Sequence, residues 1–401
     1  RRGVEQAENI LNWEARSADG AAPRTLRQKL MNDHISKQKP IIVDAHQDLA
    51  WNILTFGRDY SASAAATRQR EHRTETPVHN GDTLLGWEDY QNGNVAVVFS
   101  TLFAAPARKQ HGEWYTQVYR DEHEAHQRYS AQLDAYHRLA DEHPEKYRLV
   151  QTSGDLAEIL ALWQNRTVQH PPVGLVVLME NAEGVRSAGE LETWWQRGVR
   201  IIGPAWAGTR FCGGTGEPGP LTNQGYRLLE GMAGFGFILD LSHMDEKAVL
   251  QAIDFYPGTL IASHANASAL LDDPDSNRFL SDRLIQGLLE RDAVIGVVPY
   301  NRFLVSGWKK RDGRQAVTLD QLVAQIDHIC QMAGDARHVG IGSDFDGGFG
   351  WQSVPAEIDT IADLQKIVPL LAQKGYTEAH IAAIMGQNWL SVLKENLPES
   401  M

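Results

Sequence analysis

Eight short apolar runs recur along the chain from residue 40 onward, and each is followed by a turn and a longer amphipathic stretch. The runs are Ile41–His46, Val95–Leu102, Val173–Glu180, Val199–Trp206, Phe237–His243, Thr259–His264, Ala293–Tyr300 and His338–Asp344. Hydrophobicity is nearly continuous within each run, as expected for strands that are buried on both faces of a sheet. The pattern therefore predicts parallel strands in an α/β protein.

The amphipathic stretches between the runs have the periodicity of helices. We predict helices over Glu113–Glu142, Asp155–Gln164, Ala188–Arg197, Asn223–Gly234, Asp245–Phe255, Ser281–Arg291, Thr318–Met332 and Ala356–Gln373. Eight strands that alternate with helices predict a (β/α)8 barrel of the TIM type. Periodicity alone leaves a doubly wound open sheet as the alternative.

Residues 1–39 are mixed and polar and contain two predicted helices, near Glu5–Trp13 and Leu26–Ile35. We expect a helical lead-in over residues 1–39 and a single barrel domain over residues 40–401. Closing helices within Gly375–Leu397, interrupted at Gly386, would complete that domain.

Three segments do not fit the simple alternation of strands and helices. Arg58–Asp82 is long and polar, Gly208–Thr222 is rich in Gly and Pro, and Tyr147–Thr152 is a short β-like segment. Loops at strand ends often carry function, so the first two are expected to shape or cover a pocket. A surface excursion is an equally good interpretation of Arg58–Asp82, and Tyr147–Thr152 is interpreted as an edge strand or a bent connection.

Composition narrows the classes of function. A hydrophobic fraction of 42% with 22% charged residues is typical of a globular protein, and a net charge of −13 disfavours nucleic acid or an anionic membrane as partner. The two cysteines, Cys212 and Cys330, are too few for a disulfide framework. With neither a signal-peptide core nor a run near the ~20 residues of a membrane span, we expect a soluble, cytoplasmic protein. The chain begins with Arg1, so this expectation leaves open whether a segment precedes it.

Ionisable residues stand at the ends of five of the eight runs. His46 and Asp48 end the first run, and Glu180, His243, His264 and Asp344 end the third, fifth, sixth and eighth. In a parallel barrel all strand C-termini open on one face, where active sites are built. A single histidine at such a position is more often structural, but three of the 15 histidines joined by three carboxylates indicate a metal site.

Six candidate ligands exceed the three protein ligands that a single catalytic zinc normally takes. Two metals that share a bridging carboxylate use them better, with His46 and Asp48 on one ion, His243 and His264 on the other, and Glu180 between. Such a pair of ions can share a water and lower its pKa. Asp344 would then act as the proton shuttle.

These residues lie in motifs that resemble the membrane (renal) dipeptidase family of zinc dipeptidases. The motifs are VDAHQDLAWN, LMENAEG, GVRIIGPAW, LDLSHMDEKA, IASHANA, SNRFLSD, GIGSDFDGG and MGQNWLSVL, and they extend from about Ile41 to Leu393. The resemblance implies a barrel of the metal-dependent hydrolase type that cleaves small dipeptides, some with a D-residue on the carboxyl side, by means of a metal-bridging hydroxide. It implies two zinc ions held by the five ligands named above, with Asp344 as the catalytic proton carrier.

The resemblance also implies that Arg278 binds the terminal carboxylate of the substrate, a role that suits a guanidinium. A surface Arg that caps the following helix is the alternative interpretation. The stretch between His264 and Arg278 is longer than is usual in the family, which leaves the placement of this clamp open.

Trp206 is the main departure from the family pattern, because it stands where the family has a histidine that contacts the scissile carbonyl. An indole has one N–H donor and no imidazole chemistry. The expected substrate is a dipeptide, and Trp206 keeps a second hypothesis open, in which the protein hydrolyses another amide such as an N-acyl amino acid or a lactam. A third hypothesis is a metal-retaining protein that binds peptides without turnover. The expected partner is a small molecule rather than nucleic acid or membrane, and a homodimer is left open.

Overall fold

The computed structural model describes residues 39–165, 167–272 and 276–400. Pro40–Met401 forms one compact unit. The helices predicted for the N-terminal lead-in lie outside the described residues.

Eight parallel strands close into a barrel, which confirms the predicted fold. The strands are β1 (Ile42–Gln47), β2 (Val95–Leu102), β3 (Val173–Glu180), β4 (Val199–Gly203), β5 (Ile238–Asp240), β6 (Leu260–Ala262), β7 (Val294–Val297) and β8 (Val339–Ile341). Each strand pairs with the next in sequence, and β8 pairs with β1 through Asp44 and Ile341. The open-sheet alternative is therefore wrong.

The observed strands are shorter than several of the predicted runs, and the reason lies in the turns that follow them. The predicted runs five and eight end at His243 and Asp344, whose φ angles are 65° and 55°. A left-handed residue cannot continue a strand. The last residues of these runs therefore belong to the loops of the barrel end.

The described part of the chain contains fifteen α-helices, twelve of them before β8 and three after it. They are α1 (Leu49–Phe56), α2 (Ala64–Glu71), α3 (Thr76–Asn80), α4 (Trp87–Gly93), α5 (Glu122–Glu142), α6 (Ser153–Gln164), α7 (Leu191–Gln196), α8 (Asn223–Phe235), α9 (Glu246–Phe255), α10 (Asp282–Leu289), α11 (Asn301–Leu304), α12 (Leu319–Ala333), α13 (Ile367–Gln373), α14 (Glu378–Ala382) and α15 (Asn388–Asn396).

Two predicted helices begin about ten residues later than expected, and the predicted helix Ala188–Arg197 is α-helical only from Leu191 onward. Helix α5 begins at Glu122 rather than Glu113, because the Asp121 carboxylate accepts hydrogen bonds from the N–H groups of His123 and Glu124 and so caps the helix. In the stretch predicted as Ala356–Gln373, a 3₁₀ helix covers Ile361–Lys366 and only Ile367–Gln373 is α-helical.

Three short strands lie outside the barrel. Tyr147–Leu149 pairs with the first half of β3 and is the predicted edge strand. Ala105–Pro106 and Val118–Tyr119 pair with each other and were not predicted. They bring the two ends of the connection between β2 and α5 together.

The C-terminal helices close the end of the barrel opposite to the strand C-termini. Trp389 is fully buried among apolar side chains of the strands, and its Nε1 donates a hydrogen bond to the carbonyl of Ile341 at 3.0 Å. The predicted break at Gly386 is wrong, because a π-helical turn over Ala383–Gln387 joins α14 to α15. A Cβ at Gly386 would lie 2.6 Å from the carbonyl oxygen of Ile41, so this glycine permits close approach to β1.

No helix among the described residues combines the length and the apolar character needed to cross a bilayer.

Candidate active site

The six ionisable residues predicted at the strand ends meet at one end of the barrel. His46 lies within β1 and Glu180 is the last residue of β3, whereas Asp48, His243, His264 and Asp344 lie in the turns after β1, β5, β6 and β8. His46, Asp48, Glu180 and His264 are buried, and His243 and Asp344 are partly exposed to a cavity.

Glu180 lies at the centre of this group, and its two oxygens face different histidines. Its Oε2 is 3.6 Å from His46 Nε2, whereas its Oε1 is 3.0 Å from His243 Nε2 and 3.6 Å from His264 Nε2. Asp344 Oδ1 approaches His46 Nε2 from another side at 4.0 Å. The carboxylate of Glu180 thus lies between two sets of donor atoms.

Hydroxyl groups orient the two histidines that follow β5 and β6. Thr215 Oγ1 lies 2.9 Å from His243 Nδ1, and Ser263 Oγ lies 2.9 Å from His264 Nδ1. Both Nε2 atoms are turned inward and lie 2.8 Å apart. A partner on one ring nitrogen fixes the orientation of the other, as is usual for histidines that bind metal.

The residues fit a metal site. His46 Nε2 is buried and makes no hydrogen bond with the described residues. Ligand atoms of His46, Glu180 and His264 lie within 4.8 Å of one another, and so do those of His46, Asp48 and Asp344. Imidazole and carboxylate ligands are those that zinc prefers when thiolates are absent. A nitrogen left without a partner in such a cluster is the feature that an ion would satisfy.

The pKa values of the three histidines differ in direction. Burial and the guanidinium of Arg278 lower the pKa of His243 to about 4. Burial and the neighbouring His46 lower the pKa of His264 well below its ordinary value. For His46, burial acts downward, but the carboxylates of Glu180, Asp48 and Asp344 raise its pKa to about 9.

Among the carboxyl groups, Glu180 and Asp344 diverge. Although burial opposes ionisation, His46 and His243 hold the pKa of Glu180 well below its usual range. Burial, together with the charges of Asp48 and Glu180, raises the pKa of Asp344 well above its usual range. Two groups with opposite shifts in one site are the pattern expected for a fixed charge beside a proton carrier.

Three buried aspartates that the sequence analysis did not single out support the loops of the site. Asp44 accepts a hydrogen bond from the N–H of Ser343 at 2.6 Å, beside Asp344. Asp240 accepts from Ser263 N at 2.9 Å and from Ser263 Oγ at 2.6 Å, beside His264. These two carboxylates position the segments that carry the ionisable residues.

The third of these aspartates, Asp346, ties the turn after β8 to the segment Arg58–Asp82. Its carboxylate accepts from Tyr60 Oη at 2.8 Å and from Leu84 N at 2.9 Å, and it pairs with Arg58 Nη1 at 3.1 Å. The signal in the sequence was an acidic residue inside or beside an apolar run, since such a carboxylate must find donors when buried.

A cavity of about 500 Å³ opens at this end of the barrel, and Asp48, Glu180, His243 and Asp344 contribute to its wall. Trp206 also lines the cavity, with its ring centroid 6.2 Å from that of His243. Val78 and His79 of helix α3 line it as well. The segment Arg58–Asp82 therefore shapes the cavity, and the interpretation of it as a mere surface excursion is wrong.

Arg278 is buried beside the site but is not among the residues that line the cavity. Its Nη2 donates to the carbonyl of His264 at 2.8 Å, and its Nε has no partner among the described residues. The interpretation as a surface Arg is therefore wrong. Residues 273–275, in the long stretch before Arg278, lie outside the described residues.

Several known proteins are similar to this chain in sequence. A protein of Klebsiella pneumoniae, described as an uncharacterised protein in the pqqA 5′ region, is 33% identical over 234 residues, which are 55% of this chain and 82% of that protein. The dipeptidase AtaJ of Aspergillus terreus is 28% identical over 285 residues, 66% of each protein. An uncharacterised dipeptidase of Schizosaccharomyces pombe is 27% identical over 282 residues, and the chain spans 63% of its length.

Solved structures share the fold. A metallopeptidase of Rhodobacter sphaeroides, crystallised with a phosphinate mimic of L-Ala-D-Ala, superimposes with a TM-score of 0.71 at 22% identity, over 90% of this chain and 100% of that one. The probable dipeptidase PvdM of Pseudomonas aeruginosa superimposes with a TM-score of 0.73 at 19% identity, over 94% of this chain and 100% of that one.

Residues 32–400 match the family described as membrane dipeptidase, peptidase family M19. The match covers all eight strands of the barrel and all six of the ionisable residues at their ends. A metal cofactor is in keeping with this family and with the clustered ligand atoms. The predicted resemblance is confirmed: the chain belongs to the membrane dipeptidase family of metallopeptidases.

Proposed function

We propose that this protein is a zinc-dependent dipeptidase with two metal sites that share Glu180. The observation that carries the proposal is the arrangement of that carboxylate, whose Oε2 faces His46 while its Oε1 faces His243 and His264. His46 and Asp48 would hold one ion, and His243 and His264 the other. Bound there, the ions would polarise the scissile carbonyl and lower the pKa of water.

Asp344 is the proton carrier in this proposal. It lies beside His46 and on the wall of the cavity, where a substrate would meet it. Its raised pKa makes its carboxylate a better proton acceptor than an ordinary aspartate, so that it could take a proton from the attacking water and pass that proton to the departing amine.

Arg278 would hold the terminal carboxylate of the substrate. Its buried Nε is a donor without a partner among the described residues, and a guanidinium that has lost water gains most from a carboxylate. Because Arg278 does not line the cavity, a substrate bound there would have to extend past His264, whose carbonyl accepts a hydrogen bond from Arg278, to reach the guanidinium.

Metal analysis combined with a substrate panel tests the proposal. We expect about two zinc ions per chain and turnover of L,L or L,D dipeptides in preference to N-acyl amino acids and lactams. His243→Ala should lower kcat/KM by at least about 100-fold and reduce the bound zinc, because it removes a ligand nitrogen. His380→Ala, at an exposed histidine of α14, is the matched control and should change neither value.

Turnover of another amide with none of the dipeptides would favour the second hypothesis from the sequence. Bound zinc with no hydrolysis across the panel would favour a binding protein. A His243→Ala variant that keeps both its zinc and its activity would rule out the proposed ligand set.

A further inference from the structure

An aromatic wall covers one side of the cavity. It consists of Trp51, Phe103, Trp114, Tyr115 and Trp206. The rings contact one another: the centroids of Trp51 and Tyr115 are 5.2 Å apart, those of Trp114 and Tyr115 are 5.1 Å apart, and those of Phe103 and Trp206 are 5.1 Å apart. Mutual packing of this kind fixes the wall before any ligand arrives.

The wall is assembled from one half of the barrel. Trp51 lies in α1 after β1, Phe103 follows β2, Trp114 and Tyr115 lie in the connection from β2 to α5, and Trp206 follows β4. The strands β1 to β4 are consecutive neighbours around the barrel. Arg278 follows β6, in the other half. The aromatic wall and the proposed carboxylate clamp are therefore on opposite sides of the site.

The wall is apolar where the rest of the site is charged. Trp51, Phe103 and Tyr115 are 3%, 6% and 8% exposed, yet all three line the cavity. Val78, which is 69% exposed, lies at the same cavity. No Lys or Arg is found among the described residues that line it. A volume of about 500 Å³ is within the range that holds drug-sized ligands.

We propose that this wall is a specificity pocket for a large apolar or aromatic side chain on the N-terminal residue of a dipeptide. The proposal rests on the dipeptidase function proposed above. If the clamp on the β5–β8 half holds the terminal carboxylate, the residue that bears the carboxylate lies on that half. The other residue of the dipeptide then faces the wall, and its side chain replaces water against the rings.

A matched dipeptide series tests the proposal on the zinc-loaded protein. Ala-Ala, Phe-Ala, Ala-Phe and Lys-Ala differ only in the side chain and in the end that carries it. We expect kcat/KM for Phe-Ala to exceed that for Ala-Ala by about 10-fold or more, since each methylene in a fitted pocket is worth roughly 10-fold or more. A preference for Ala-Phe or for Lys-Ala over Phe-Ala would overturn the proposal, because the first places the pocket at the other residue and the second makes it a cation site.

Variants assign the preference to the wall. Trp114→Ala should bring the ratio of Phe-Ala to Ala-Ala turnover close to 1, because it removes one ring of the wall. Trp195→Ala is the matched control. Trp195 is half-buried, does not line the cavity, and has the guanidinium carbon of Arg200 4.2 Å from its ring centroid. Its substitution should leave the ratio unchanged. An unchanged ratio in Trp114→Ala would overturn the proposal.

Binding separates a failure of this inference from a failure of the proposed function. Phosphinate analogues of Ala-Ala and Phe-Ala are titrated into the protein by calorimetry. Tighter binding of the Phe-Ala analogue without turnover of any dipeptide would overturn the dipeptidase function and leave the pocket supported. Turnover of dipeptides together with equal binding of both analogues would support the dipeptidase function and overturn the specificity pocket.

Discussion

The histidines of the site differ in pKa because their charged neighbours differ. Carboxylates surround His46 and raise its pKa to about 9 in spite of burial, whereas burial and Arg278 lower the pKa of His243 to about 4. At neutral pH the His243 imidazole therefore offers a free lone pair, while His46 keeps its proton until a competitor removes it. A metal ion would therefore have to displace a proton from His46 but not from His243.

Zinc binding is accordingly expected to release protons. Because the pKa of His46 is raised, its proton is present throughout the neutral range and must be displaced, so affinity should increase as the pH rises from 6 to 9. The increase should be about tenfold per pH unit for each proton displaced. Titration calorimetry in buffers with different ionisation enthalpies measures the released protons. Heats that do not depend on the buffer would contradict this expectation.

The ionisable residues of the site could be predicted from the sequence, whereas the aspartates that support them and most of the aromatic residues of the cavity wall could not. His46, Glu180 and Asp344 stand at the ends of apolar runs, where a barrel places functional groups. Asp44 stands inside such a run, and its local bond from Gln47 Nε2, at 2.6 Å, does not reveal a role at the barrel end. Its distant partner is the N–H of Ser343, 299 residues away, and only the closed barrel brings the two together.

At the scale of elements, the insertion Arg58–Asp82 acts as a brace for the turn after β8. Arg58 and Tyr60 bind the Asp346 carboxylate, and Asn80 Nδ2 donates to the Asp346 carbonyl at 2.9 Å. The turn holds Asp344 and Asp346 at φ angles of 55° and 64°, a left-handed region that is uncommon for non-glycine residues, although Asp adopts it more readily than most. The contacts of the brace stabilise the turn in this conformation.

Asp346→Asn should therefore destabilise the protein by about 3 kcal/mol, because it leaves Arg58 with a weakened buried partner. The midpoint of urea unfolding measures the effect, and kcat should also fall because Asp344 loses its support. Asp134→Asn is the control, since Asp134 pairs with Arg197 at 2.6 Å with 57% of its side chain exposed. An exposed pair of this kind contributes at most about 1 kcal/mol. Equal effects of the two substitutions would contradict the role of Asp346.

The cap residue predicted the start of α12 correctly, whereas the start of α5 was missed although Asp121 caps it. Thr318 caps α12, and the predicted helix Thr318–Met332 is observed as Leu319–Ala333. The stretch beginning at Ala356 has amphipathic spacing without a cap, and the helical segment begins only after Thr360. Spacing alone does not distinguish a helix from a segment that packs its apolar residues in an extended form.

At the scale of the whole molecule, the two ends of the barrel have opposite character. The end with the strand C-termini collects the ionisable residues, and the opposite end is closed by Trp389. A Cβ at Gly340 would lie 2.2 Å from Trp389 Nε1, so the indole fits only because β8 has a glycine there. The strand count and order were readable from the sequence, but this fit depends on two segments that meet only in the fold.

Trp389→Ala should lower the free energy of unfolding by about 3–5 kcal/mol, because it leaves a large cavity in the apolar end. Trp389→Phe keeps a ring and removes the hydrogen bond to Ile341, so its loss should be clearly smaller. Denaturant titration of both variants measures the difference. Similar losses in the two would mean that the hydrogen bond, rather than the filled volume, stabilises this end.

The pairing of β1 with β8 also bears on the order in which the barrel assembles. The two strands are joined through Asp44 with Ile341, through the bond from Asp344 N to the carbonyl of His46, and through Ser343. Closing so long a loop costs more chain entropy than pairing β2 with β3, which are much closer in sequence. During refolding, pulsed hydrogen exchange should therefore protect the amides of Ser343 and Asp344 after those of β2 and β3, and simultaneous protection would argue against this order. The end with the ionisable residues would then be completed only when β8 pairs with β1, and Asp344, in the turn after β8, would be the last of these residues to reach its place in a nascent chain.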